Sequence, residues 1–140
     1  MLSPMTIELL AGPLSVCRLA ADAPMPAWAI TGPFFTVTRS ADELSIICAT
    51  DHVPVGVTAS GGWRALKIVG PFDLDEVGVL VRVAAPLAAA GVSILPIATY
   101  DTDYVLVRAS QLPAAVAALR RDGHELRMSE VLTGAPEHAG

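Results

Sequence analysis

From Trp63 to Met128 the apolar residues keep changing period, and the order of the changes leaves little freedom for the fold. Trp63–Val69 is a compact apolar run that predicts a strand. From Asp75 onward Val77, Leu80, Val81, Ala84 and Leu87 recur at helical spacing, and Gly91 stands where helices commonly end. Asp73, Asp75 and Glu76 put negative charge where the start of that helix favours it. Val92–Ile97 and Tyr104–Val107 read as strands on either side of a polar turn, Thr99-Tyr100-Asp101-Thr102-Asp103. A second helix is expected over Gln111–Arg121, with Ser110 as its N-cap, Pro113 in its first turn and Gly123 just past its end. His124–Met128 supplies a last short strand.

Strand, helix, strand, strand, helix, strand is the ferredoxin-like split βαβ order. The first half repeats it faintly. Thr6–Leu10 and Leu14–Leu19 are strand candidates around the turn pair Gly12-Pro13, Pro26–Ile30 has room for one or two helical turns, and Phe34–Thr38 and Leu44–Ala49 are buried strands. Thr38 and Asp42 stand 61 residues before Thr99 and Asp103, while Gly12-Pro13-Leu14 stands 58 before Gly70-Pro71-Phe72, so a three-residue length change reconciles the copies. Val53–Gly62, with Pro54, Gly56, Gly61 and Gly62, reads as the linker. The expected fold is therefore α+β, with two ferredoxin-like βαββαβ modules in tandem, the first with a degenerate first helix. Their expected extents are residues 1–62 and 63–128, followed by a flexible tail at 129–140.

Composition narrows the function. At 53% hydrophobic and 16% charged, a 140-residue chain exposes apolar surface unless a partner covers it, so a homo-oligomer is expected. A net charge of −5, with a single Lys and eight Arg scattered along the chain, supplies no basic stripe for nucleic acid. Met1–Met5 carries no cation and Glu8 follows early, which argues against a secretory signal and for a cytoplasmic address. The Val77–Ala98 window is long enough to span a bilayer, yet Pro86, Gly91 and Pro96 break it, and no membrane role is expected. Cys17 and Cys48 sit in apolar runs without metal-ligand spacing and read as packed core thiols. His52, His124 and His138 are not spaced for a metal, two reading as surface residues and one as lying near a strand start. Ser45, Ser93 and Ser110 lack a nucleophile-elbow context, Gly61-Gly62 precedes a strand instead of a helix, and Trp28 and Trp63 read as core or interface anchors.

Four stretches, Phe34–Thr38 with Asp42–Ile46, Asp73–Leu80, Ala84–Ile94 and Thr99–Val107, carry a family resemblance. The second half resembles the ACT domain, an amino-acid-sensing βαββαβ module, and the whole chain is similar to tandem-ACT proteins of the CASTOR type. The resemblance covers roughly residues 6–128. It implies a non-catalytic regulator that binds a free amino acid at an interface between ACT modules of a homodimer, with no cofactor or metal. It nominates Asp73, Glu76, Val77, Gly78, Val79 and Leu80 from the strand-to-helix loop, and Thr99, Tyr100 and Asp103 from the turn.

Elementary chemistry is compatible with that nomination. A helix amino end suits an α-carboxylate, Glu76 and Asp103 suit an ammonium or guanidinium, and Tyr100 suits an aliphatic stem or a cation. The plain alternatives are a solvated cap for Glu76, a turn-closing side chain for Asp103 and a packing role for Tyr100. The competing function is an interaction module of the same fold that dimerises or regulates an enzyme partner without a ligand. An enzyme ranks last, since no acid, base and nucleophile converge in sequence.

Overall fold

The computed structural model describes residues 4–128, and their contacts form two compact units. The smaller is residues 12–63; the larger joins residues 4–11 to 64–128.

The smaller unit runs β2 (Leu14–Leu19), a 3₁₀ turn at Ala27–Ile30, β3 (Thr36–Arg39), β4 (Leu44–Ala49), a 3₁₀ turn at Thr50–His52 and the first half of β5 (Thr58–Ile68). Its strands lie in the order β3-β4-β2-β5, all antiparallel, which is the ferredoxin-like arrangement with both helices reduced to single turns. Alternation along β4 buries Leu44, Ile46 and Cys48 on one face, where Cys17 and Ala29 join them and Trp28 packs alongside. The Trp63 indole is also buried, and its N–H donates to Ser60 Oγ at 3.2 Å. The segment expected as a linker is not one from Thr58 onward. Gly61 and Gly62 lie within β5, where the pairing with β2 shifts register between Leu14 and Val16, and Gly62 takes φ +79°, a bulge conformation open to glycine.

Cys17 and Cys48 stand on neighbouring strands, are fully buried and face each other closely enough to hydrogen-bond. Burial, reinforced by the Cys48 thiol, pushes Cys17 up from 9.0 to about 11. Both thiols are expected to ignore an aromatic disulfide reagent at pH 7 until the chain is unfolded. A pKa raised by folding leaves stability intact below the unfolded value and erodes it as pH climbs. The denaturation midpoint is therefore expected to fall between pH 9 and about 11, with a shallower fall in Cys17→Ala.

The larger unit contains β1 (Thr6–Leu9), the second half of β5, α1 (Val79–Ala89), β6 (Ile94–Ala98), β7 (Asp103–Arg108), α2 (Leu112–Arg121) and β8 (Glu125–Met128). Its strand order is β6-β7-β5-β1-β8. This is again a βαββαβ unit, with one strand added: β1 lies antiparallel to β5 and parallel to β8, in the place where the first and last strands of the simple fold would meet. Residues 4–11 thus group away from the N-terminal module to which the expected 1–62 boundary gave them. The cause is long-range: Ile7 is fully buried with Leu66, Ile68, Val83, Val105 and Leu119, a cluster no local pattern reveals.

Two helix starts also differ from expectation. Helix α1 begins at Val79, not near Asp75, because Gly78 adopts φ +85° and turns the chain into the helix; no acidic residue lies in its first turn. The later start changes the phase, so Val79, Val83 and Leu87 form the buried stripe and Val77 and Val81 are exposed. Ser110 sits inside a 3₁₀ turn, Ala109–Gln111, and Gln111 precedes α2 without a side-chain cap. Among the described residues no helix is long and apolar enough to cross a membrane. The expected flexible tail lies outside the described residues, as does His138.

Candidate functional site

The loop between β5 and α1 and the turn between β6 and β7 come together at one end of the larger unit. A backbone bond joins them: Phe72 N–H donates to the Asp101 carbonyl at 2.8 Å. The turn is closed from within, since Thr99 N–H and Oγ–H both donate to the Thr102 carbonyl, at 2.8 and 2.9 Å, and Thr102 N–H returns a bond to Thr99 Oγ at 3.3 Å. Thr102 itself is buried, and its hydroxyl donates to the Ile68 carbonyl, tying the turn to β5. Gly70 makes the close approach possible: a Cβ there would sit 3.0 Å from the Asp101 oxygen and 2.8 Å from Phe72 Cδ2. Gly70→Ala is therefore expected to push the turn off the loop and to cost about 1–3 kcal/mol, read by urea denaturation.

Two adjoining clefts open between these segments. One of about 150 Å³ is lined by Phe72–Leu74, Glu76, Val79 and Ala98–Asp103, and one of about 420 Å³ by Glu76, Gly78–Val81, Ala84 and Asp103. Of the nine sequence-nominated residues, Asp73, Glu76, Val79, Thr99, Tyr100 and Asp103 line the first, and Gly78 and Leu80 join at the second. Val77 lines neither and is 88% exposed. Glu76, Val79 and Asp103 belong to both, so the two clefts share a wall.

Charge in the site is one-sided. Asp73, Glu76, Asp101 and Asp103 line the clefts, and no Lys or Arg among the described residues does. Glu76 has a partner, Arg82, whose Nη2 lies 3.6 Å from Glu76 Oε2. Asp103, half-buried at the start of β7, makes no such ion pair among the described residues. In the same cleft, the first turn of α1 has backbone N–H groups that no side chain caps. Leu74, Val77, Val81 and Tyr100 stand exposed around the openings, Tyr100 at 79%. Sequence reasoning missed Arg82, a lone charge in the apolar Val77–Ala98 window, and the Asp101 carbonyl, whose backbone role has no signature in its side chain. Among the described residues no cluster of His, Cys, Asp and Glu is arranged for a metal ion.

His124 braces the helix that carries this wall. Its Nδ1 accepts from Met5 N–H at 3.0 Å, so the ring proton resides on Nε2, which donates to the Arg82 carbonyl at 3.1 Å.

Two βαββαβ units, one of them with a cleft at its strand-to-helix loop, define a tandem ferredoxin-like α+β protein. The ACT-domain family model matches residues 58–121, and a second model, of an N-terminal domain, matches residues 12–56. The cytosolic arginine sensor for mTORC1, subunit 1, of Rattus norvegicus is 37% identical over 97 residues, covering 64% of this chain and 29% of the sensor. The matched region thus spans less than a third of that relative's length. A crystal structure of a protein from Agrobacterium tumefaciens is 37% identical with a TM-score of 0.86, covering 91% of this chain and 96% of that one. The regulatory subunit of aspartate kinase from Thermus flavus, 14% identical with a TM-score of 0.60, covers 86% of this chain and 99% of that one and shares the fold. Residues 58–121 thus carry an ACT domain, and the chain is similar to CASTOR-type proteins over the matched region.

Proposed function

We propose that the chain is a non-catalytic regulator that binds a free amino acid with a cationic side chain. The site comprises Asp73, Glu76, Gly78, Val79, Leu80, Thr99, Tyr100 and Asp103, with Val77 at its rim. The observation that carries the proposal is the Asp103 carboxylate, without an ion-pair partner among the described residues, lining the same largely apolar cleft as the uncapped start of α1, with Glu76 as that cleft's other acid. The first-turn N–H groups of α1 take the α-carboxylate, and Asp103 takes the cationic end through charge-assisted hydrogen bonds. The matched sensors are named for arginine, which supports a cationic ligand, and for the cytosol, which supports a cytoplasmic address. Relatives named as sensors and regulatory subunits support a role without chemistry.

The clefts are open on one chain, and exposed Leu74, Val77, Val81 and Tyr100 surround them. A second copy covering this rim makes a homodimer with paired sites, and the occupied state is what a downstream protein reads. Calorimetric titration with the twenty amino acids tests the proposal. Saturable heat with arginine or lysine, absent with aspartate and glutamate, is expected; silence across the set overturns it and favours a ligand-free interaction module.

A further inference from the structure

The two carboxylates shared by the clefts are not equivalent, and the difference lies in Arg82. This side chain is largely covered, 17% exposed against 38% for Glu76. Its position is fixed at three points: Arg82 N–H donates to the Gly78 carbonyl at 3.2 Å, its own carbonyl accepts from His124 Nε2 at 3.1 Å, and its guanidinium meets Glu76. A helical side chain leans toward the amino end of its helix, which brings the guanidinium back to the loop preceding Val79. Among the described residues Glu76 therefore carries a resident cation and Asp103 does not.

We infer that Arg82 is a specificity-determining residue of the site, an internal competitor that holds the Glu76 carboxylate so that a cationic ligand reaches it only by displacing the guanidinium; this rests on the amino-acid-binding function proposed above. Asp103 is then the carboxylate that meets the ligand first, and Glu76 is a reserve engaged at the expense of an existing pair. One open carboxylate demands a cation, while the occupied one keeps affinity below what two free acids would give. Arg82 also keeps the empty cleft from holding two uncompensated charges side by side.

A double-substitution cycle read by calorimetry with arginine, and with its neutral isostere citrulline, tests the inference. Arg82→Gln is expected to tighten arginine binding about two- to fivefold, the range for an ion pair this exposed, with no gain for citrulline. In a Glu76→Gln background the same change is expected to have no effect. Glu76→Gln alone is expected to weaken arginine less than twofold, a measurement that does not require the Arg82 variant to fold. Arg82→Lys should leave affinity at the wild-type level. An unchanged or weaker affinity in Arg82→Gln overturns the inference. So does an equal gain in the Glu76→Gln background, which marks Arg82 as a distant charge, and so does a tenfold loss in Glu76→Gln alone. If the unaltered chain gives no heat with arginine or lysine, the proposed function falls and takes the inference with it; binding without the cycle effect removes the inference alone.

Discussion

Replacing Asp103 with Asn is expected to weaken binding of a cationic amino acid by about ten- to a hundredfold, the loss that follows when a hydrogen bond to a charged group gives up its charge. The side chain keeps its shape, so the effect isolates electrostatics from packing. Asp103 is half-buried and has no ion-pair partner among the described residues, so folding has little invested in its charge. Removing one of four acids lining the clefts should leave the melting temperature unchanged or raise it slightly. A variant that melts normally yet binds as tightly as the wild type would dissociate Asp103 from ligand recognition. Rising salt should weaken the wild type more than Asp103→Asn, since the lost interaction is the one that ions screen.

The second large effect concerns folding. Ile7→Ala is expected to destabilise the larger unit by about 2–5 kcal/mol, because Ile7 is completely buried and its removal leaves a cavity among Leu66, Ile68, Val83 and Leu119. Val55→Ala, at a fully exposed position, should stay within about 0.5 kcal/mol. The chain carries convenient reporters. Both α-helices belong to the larger unit, whereas Trp28 and Trp63 belong to the smaller, so helical circular dichroism and tryptophan fluorescence follow the two units separately. Ile7→Ala should lower the urea midpoint of the dichroism transition. A midpoint equal to that of the wild type would show that β1 is dispensable to the sheet.

The sequence disclosed what depends on neighbours and concealed what depends on distance. Leu14–Leu19 and Leu44–Ala49 have the strand boundaries expected of them because each is a short, mainly apolar run beside a turn. The acidic loop and the Thr99–Asp103 turn were legible for the same reason: turn chemistry is written in consecutive residues. Gly78 was harder, because Asp73, Asp75 and Glu76 resemble a helix start, and only the left-handed backbone at Gly78 moves the first turn to Val79. Gly61-Gly62 has the composition of a breaker, and its use as a bulge appears only once β2 lies beside it. The partner of Glu76 follows from how the chain re-enters its helix, and the partner of β1 from two strands far along the chain. No periodicity encodes either.

The insertion of β1 sets an order of events for a chain made from its amino end. Met5 and His124, which hydrogen-bond where β1 and β8 begin, are 119 positions apart, and β1, which lies between β5 and β8 in the sheet, precedes both of them along the chain. The 12–63 unit is one continuous stretch and can close as soon as it is complete. The other unit must hold an apolar segment in waiting through more than a hundred residues of synthesis, and contacts this non-local make for slow closure. Until β8 arrives, β1 has a bare edge, the state in which a nascent chain is most open to chaperones and to pairing with its own copies.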